Sequence, residues 1–320
     1  MLDGLRPKNF LVLGRAGLDL YADPPGCRME EATRFTSALG GSGANIAAGI
    51  VKLGDAAALL TTLSDDAVGR FVLRELDRYG VNRAHIRMVQ GEARTSLAVV
   101  ETRNEDCQSV IYRNGAADFA LETADVASIA FEAFGALIVT GTALAVEPSR
   151  AATLLAMARA RAARVPVILD VDYRPYSWAS AAEAEATCRD AAQRADIVIG
   201  NDLEFDVMAG GAGGRDLAGR LAAHCTAVIY KMGEKGSVSF AGGQSFETPV
   251  FAVTALKPTG AGDAFMAGVV TGLADGLGLP AAVRRGSAAA AITVTRVGCA
   301  PASPTSAELA AFMLRHQPPA

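Results

Sequence analysis

The apolar positions of the chain follow two rhythms that alternate along its length. Continuous short runs at Phe10–Leu13, Ala56–Leu60, Ala136–Thr140, Val165–Val171, Ile197–Ile199 and Ala227–Tyr230 read as strands buried on both faces. Apolar residues three and four apart mark the helices between them. Leu39–Gly54 carries Ile46, Ile50 and Leu53 and closes on Gly54, and Asp66–Tyr79 opens at Ser64-Asp65. The same period predicts helices over Pro148–Arg164, Ala181–Ala195 and Asp216–His224, then one from Asp263, one over Pro280–Arg296 and one over Ser306–His316. Strands alternating with long helices predict a mostly parallel, doubly wound α/β sheet. Thr95–Glu101 and Gln108–Tyr112, joined by the polar turn Arg103–Asp106, predict a hairpin in a small separate antiparallel layer. No internal repeat or low-complexity linker interrupts the pattern.

Ligands of such sheets bind beyond the carboxyl ends of the strands, and most of the unexpected polar residues fall there. The stretch Lys257–Thr271 (K-P-T-G-A-G-D-A-F-M-A-G-V-V-T) is the most informative. Pro258 keeps Lys257 extended, Gly260-Ala261-Gly262 turns with little side chain in the way, and a helix begins. Free N–H groups at that helix start favour an anion, and Asp263 on its first turn could take a proton from a hydroxyl attacking a phosphate. The plain alternative is a turn followed by an aspartate that suits the helix dipole.

Each other candidate also carries two readings. Asp19, five residues after Gly14, is a hydroxyl acceptor or a turn residue. Gly40-Gly41 with Asn45 offers bare backbone and an amide to a polyol, or merely lets a helix pack closely on the sheet. Asn201 and Glu204 have the spacing of a helix cap, and could also reach Mg²⁺, directly or through water, or nucleotide phosphates. Lys231, Gly233 and Gly236 form either a loop bordering a triphosphate or an ordinary hairpin turn. Tyr112-Arg113 and Asp170-Val171-Asp172-Tyr173-Arg174 supply two arginine forks that match a carboxylate, although surface arginines are common.

Composition narrows the classes. About half of the 320 residues are apolar, enough for a large core, and the net charge of −4 argues against nucleic acid or an anionic membrane surface as partner. No apolar run approaches the roughly 20 residues of a membrane span, and Met1–Phe10 does not read as a signal peptide. Five scattered cysteines without a C-x-x-C pair fit thiols in a reducing cytoplasm. Three isolated histidines leave little basis for metal-hydrolase or Ser-His chemistry. A nicotinamide dehydrogenase is disfavoured, since no G-x-G-x-x-G follows the first strand.

Taken together, Gly40–Asn45, Asn201–Glu204, Gly233–Gly236 and Gly260–Asp263 resemble, in order and spacing, the motifs of the ribokinase-like (PfkB) carbohydrate kinases. The resemblance runs from about Phe10 to Thr305. It implies one Rossmann-like α/β/α domain with a discontinuous β-sheet lid contributed by about 16–39 and 93–118. It also implies ATP with Mg²⁺, and phosphorylation of a sugar hydroxyl. Asp19, Gly41 and Asn45 would hold the sugar, Asp263 would be the base, and Gly260, Ala261 and Gly262 the anion hole. Asn201 and Glu204 would act on the Mg²⁺–phosphate side, Lys231 beside the nucleotide, and Ser287 at a position often Asn near the adenine. Gly14–Ala22, Tyr112–Asp118, Asp170–Trp178 and Arg284–Ile292 look closest to the 5-dehydro-2-deoxygluconate kinases of myo-inositol catabolism, and Tyr-Arg and Asp-x-x-Tyr-Arg also resemble 2-keto-3-deoxygluconate kinases. Both act on sugar acids, for which Tyr112, Arg113 and Arg174 would serve. A non-catalytic sensor on the same fold is the reading from another class.

Two departures stand out. Gly17 replaces an Asn frequent two residues before the sugar-binding Asp. Lys257 replaces an acidic residue that helps ribokinase-type members hold a monovalent cation, so its ammonium is expected to remove or substitute for that site. An exposed lid sheet would offer a homodimer surface.

Overall fold

The continuous apolar runs are explained by strands that feed two cores at once. In this computed structural model, which describes residues 4–103 and 106–316, Phe10 and Val12 of β1 (Asn9–Leu13) enter one core. Leu11 and Leu13 enter the other. The chain continues through β2 (Gly17–Asp23), β3 (Arg34–Gly40), α1 (Ser42–Lys52), β4 (Ala56–Ser64), α2 (Ala67–Tyr79) and β5 (Ile86–Val89). Next come β6 (Ser96–Val100), β7 (Ser109–Tyr112), α3 (Thr123–Ala127), β8 (Ala136–Thr140), α4 (Ser149–Ala162), β9 (Val167–Asp170) and α5 (Ala181–Arg194). The last third holds β10 (Ile197–Asn201), α6 (Asp202–Met208), α7 (Gly214–Leu221), β11 (Ala227–Lys231), β12 (Ser237–Ala241) and β13 (Gln244–Thr248). Three helices close it, α8 (Ala261–Ala274), α9 (Leu279–Val294) and α10 (Ser306–Arg315).

Among the described residues the main sheet has the order β13-β12-β11-β10-β9-β8-β1-β4-β5, parallel from β11 to β5, with an antiparallel β12–β13 extension. Apolar residues of α1, α2, α8, α9 and α10 cover one face, and those of α3 to α7 cover the other. This is the doubly wound, Rossmann-like arrangement. β1 lies between β4 and β8, so the winding reverses there, and the loops leaving β1 and β8 diverge to open a crevice. A second sheet, β3-β2-β6-β7, uses the expected β6–β7 hairpin but is mixed rather than antiparallel, because β2 and β6 pair parallel; the middle of the hairpin turn, residues 104 and 105, lies outside the described residues. Tyr21, Ala38, Ala98 and Val100 form its small core, against which Ile111 and Val297 pack.

Some boundaries differ from the expected ones for identifiable reasons. β4 runs on to Ser64 because its buried polar residues find partners: Thr62 Oγ1 donates to the Ala117 carbonyl at 2.6 Å, and Thr95 Oγ1 accepts from Ser64 N at 2.9 Å. α2 is capped by Asp66, whose Oδ1 accepts from Val68 N and Gly69 N. Asp19 sits within a strand, not in a polar connection. The short α6 and the β12–β13 hairpin fall below the length at which apolar periodicity is readable. No helix among the described residues is long and apolar enough to cross a membrane.

Candidate active site

α8 is buried from Ala264 to Ala274, so its N-terminus is held rigidly where it opens on a cavity of about 230 Å³. Gly260, at φ 85°, turns the chain into the helix, and no side chain caps it. Gly41 starts α1 in the same way, at φ 91°, with backbone so close that a Cβ would lie 2.5 Å from the Arg15 carbonyl oxygen. Two helix starts without side-chain caps thus line one cavity, and the N–H groups left over there favour an anion; in α1 one of them, Ala44 N, already donates to the Arg15 carbonyl at 3.2 Å.

Asp263 and Asn45 join the two starts: Asn45 Nδ2 donates to Asp263 Oδ2 at 2.9 Å. Asn45 lines the same cavity, and its Oδ1 is buried without a partner among the described residues, which suits an acceptor for a ligand hydroxyl. Burial, then the nearby Asp172 carboxylate, pushes the Asp263 carboxyl up to about 7, against the pull of Asn45, Arg174 and Arg15. A base must be deprotonated to act, so kcat/KM is expected to fall as pH drops through about 7. A rate flat down to pH 5 would exclude Asp263 as the base.

The carboxyl ends of the strands supply most of the remaining wall. Asp170 ends β9, and Asn201 and Lys231, paired in register, end β10 and β11. Burial pushes Asp170 up to about 8 despite the Lys231 ammonium. Just beyond β9, Asp172 turns back at φ 36° and accepts from Ser42 Oγ at 2.6 Å and Thr142 Oγ1 at 3.2 Å. Its other oxygen holds Arg174 Nη2 at 2.9 Å. Burial raises the Asp172 carboxyl, but Arg174, the Ser42 hydroxyl and Arg15 outweigh it and hold it below the usual range. Arg174 therefore faces the cavity on a fixed counter-charge.

Asn201 and Glu204 make a complete capping box: Asn201 Oδ1 accepts from Glu204 N at 2.9 Å, and Glu204 Oε2 accepts from Asn201 N at 2.7 Å. Glu204 Oε1 accepts from Tyr173 N at 3.2 Å. The cap reading holds, yet both residues line the cavity. Among the described residues each Glu204 oxygen accepts one hydrogen bond, which leaves a lone pair that fits a water-bridged cation. No cluster of three potential metal ligands exists among the described residues, so such an ion would take most of its ligands from phosphates and water. Asp19 lines the opposite strand layer, where its Oδ2 accepts from Tyr21 OH at 3.0 Å; burial raises its carboxyl to about 6.

Other expected residues lie elsewhere. Side chains alternate across β7, so Ser109 and Ile111 face the cavity while Tyr112 points out, 61% exposed. Arg113 is buried outside the lining, ion-paired with Asp118, donating to Thr142 O at 3.2 Å and stacked on Phe119 at 4.1 Å. Gly233 and Gly236 form the turn between β11 and β12, the ordinary hairpin of the alternative reading, and do not line the cavity. Ser287, on α9, donates to the Pro249 carbonyl at 3.4 Å, and Ala261 also stays outside the lining. Arg15, Asp170 and Asp172 do line it, each at or just past a strand end; the sequence offers the two aspartates only as flanks of the Arg174 motif and gives Arg15 no role. Lys257 is fully buried beneath the loop, its ammonium donating to the Thr259 carbonyl. Burial lowers its pKa, against the pull of Cys299, Asp263 and Asp19.

Three of the four motifs, Gly40–Asn45, Asn201–Glu204 and Gly260–Asp263, thus meet at one cavity, and residues 7–306 match the model of the pfkB family carbohydrate kinases. The chain belongs to that family. Among pfkB-family relatives, 5-dehydro-2-deoxygluconokinase of Photobacterium profundum is 41% identical over 315 residues, covering 96% of this chain and 95% of that protein. 5-Dehydro-2-deoxygluconokinase 2 of Bacillus cereus is 38% identical with the same coverage. The pfkB fold is shared with fructokinase with bound ATP from Xylella fastidiosa, at TM-score 0.85 and 23% identity over 96% of this chain and 98% of that one. A PfkB protein from a Polaromonas species superposes at TM-score 0.81 with 28% identity, covering 95% of this chain and 99% of that one.

Proposed function

We propose that this pfkB-family kinase transfers the γ-phosphoryl group of ATP to the terminal hydroxyl of 5-dehydro-2-deoxy-D-gluconate, as in myo-inositol catabolism. The observation that carries the chemistry is the Asn45–Asp263 hydrogen bond joining two uncapped helix starts in one cavity. Support for the acceptor comes from the curated relatives of that name and from a cavity wall that includes arginine. Asp263 takes the proton as the hydroxyl oxygen forms its bond to phosphorus and the bond to ADP breaks. The N–H groups at Gly260–Gly262, with Lys231, stabilise the charge on the transferring phosphoryl. Asp19 and Asn45 orient sugar hydroxyls, Gly41 admits the sugar against bare backbone, and Arg174 faces the carboxylate. Asn201 and Glu204 would hold Mg²⁺ through water; that ion, when bound, spreads the phosphate charge. Closure of the small sheet as a lid excludes water.

A coupled ADP-release assay over 5-dehydro-2-deoxygluconate, 2-keto-3-deoxygluconate, fructose and ribose tests this reading. The first acid should have the highest kcat/KM. A higher value for 2-keto-3-deoxygluconate would reassign the acceptor, and no turnover on any sugar would favour a sensor. In the same assay, replacing K⁺ by a large organic cation should leave the rate unchanged, because the buried Lys257 ammonium supplies a fixed positive charge under the loop. Strong K⁺ activation would refute that role.

The five free cysteines suit a cytoplasmic enzyme. A second copy of the chain is the proposed partner of the small sheet, whose outward face exposes Phe35, Val110 and Tyr112 on its edge strands β3 and β7. Sedimentation at micromolar concentration should give a dimer that Tyr112→Asp weakens; a monomeric wild type would dismiss it.

A further inference from the structure

The cationic side chains around the cavity differ in what already holds them. Arg174 rests on Asp172, Lys257 donates to the Thr259 carbonyl, and Arg113 is taken by Asp118 behind the wall. Arg15 is different. It is only 7% exposed, yet among the described residues its guanidinium makes one hydrogen bond, a long one from Nη1 to Ser96 Oγ at 3.4 Å, and no ion pair. A guanidinium carries five N–H donors, and none of the Arg15 nitrogens is both buried and without a partner. Arg15 lines the cavity, so the donors that make no hydrogen bond within the protein are open to an acceptor on a ligand there.

The position of Arg15 selects which ligand. It follows β1 at the point where the winding reverses, and its one hydrogen bond goes to Ser96 on β6 of the small sheet, beside Asp19. Asn201 and Lys231, on the phosphate side, end strands three and four places away in the main sheet, roughly 14–19 Å at the strand spacing. Arg174 follows β9, only two places from β1, or roughly 10 Å, a gap that two arginine side chains span together. The charges of both also act on the same two carboxylates, Asp172 and Asp263.

We propose that Arg15 is a specificity-determining residue that, with Arg174, grips the carboxylate of the acid acceptor, a role closed to Arg113 by its pairing with Asp118. The proposal rests on the sugar-acid reading above. It is tested with Arg15→Gln and Arg15→Lys, assayed on 5-dehydro-2-deoxygluconate, on neutral fructose and against ATP. Arg15→Gln should lower kcat/KM for the acid about 10- to 100-fold, the worth of charged hydrogen bonds to a carboxylate, with KM for ATP and the activity on fructose nearly unchanged. Arg15→Lys keeps the charge beside Asp19 but loses the fork, and should recover only part of the loss. Where fructose is not turned over, calorimetry in an Asp263→Asn background reads the same loss as weaker acid binding with ATP binding intact.

Equal losses on acid and fructose, or full recovery by Arg15→Lys, would show that Arg15 merely balances Asp19. A raised KM for ATP would make it a phosphate ligand. Both results overturn the proposal. If the wild type prefers fructose to every acid, the sugar-acid reading falls and takes this one with it. If the wild type prefers the acid and Arg15→Gln keeps that preference, only the role of Arg15 falls.

Discussion

Replacing Asp263 with asparagine is expected to lower kcat by about 10² to 10⁴, the usual contribution of a positioned general base, with little change in KM for ATP. Asparagine keeps the shape and can still accept from Asn45 Nδ2, but its amide oxygen cannot take up the hydroxyl proton. Stability separates this outcome from simple damage. The carboxyl of Asp263 is raised in the folded chain from 3.8 to about 7, so the folded state binds its proton more tightly than the unfolded state does. Its contribution to stability is therefore complete below about pH 4 and is lost as pH rises through 7. At pH 8 the wild type buries a charge near Asp172 that the variant lacks, so Asp263→Asn should melt at the same or a higher temperature there. Steady-state kinetics and thermal melts at pH 8 check both halves. Near-normal turnover would remove the base assignment, and a collapsed melting temperature would leave the kinetic loss unexplained by chemistry.

A side chain at Gly260 is expected to reduce kcat by about 10² or more, the scale of losing a preorganised donor at a transferring charge. Two physical effects add in Gly260→Ala. The backbone sits at φ 85°, where an L-residue with a Cβ loses roughly 1–2 kcal/mol. The new Cβ would also lie 2.9 Å from Cys299 Sγ and 3.1 Å from Cys299 Cα and Cβ. The sulfur could move, but the backbone behind it is packed and buried. The loop must then shift, carrying the N–H groups of Gly260–Gly262 away from the phosphoryl position. Adding Cys299→Ala to Gly260→Ala removes the sulfur contact alone, so it should restore little activity. Kinetics of the single and double variants against ATP test this. Unchanged kcat in Gly260→Ala would mean that the loop is not the anion hole.

Much of the architecture was legible in the chain because both-face burial makes strands continuous apolar runs. Phe10–Leu13 is one such run, and Leu11 and Val12 do enter opposite cores. The α8 start was legible because small residues before an aspartate and an apolar helix leave few alternatives, and the Asn201–Glu204 cap because its spacing is itself the mechanism. Period-two alternation also decides Tyr112, but only once the register of β7 is known: Ile111 faces in opposite Ala98, so its neighbour must face out.

The sequence by itself determined the two-faced sheet, the helix starts and the kinds of side chain waiting at the strand ends, because these follow from local periodicity and backbone stereochemistry. Only the tertiary structure decided which of those side chains are free. Asn45 reaches Asp263 across 218 positions and Ser42 reaches Asp172 across 130. Arg113 and Arg15 look equivalent as residues, but one meets the Asp118 carboxylate and the Thr142 carbonyl, and the other meets a single distant hydroxyl. A charge is available to a ligand when folding leaves it without a partner, and that depends on contacts made by the whole chain.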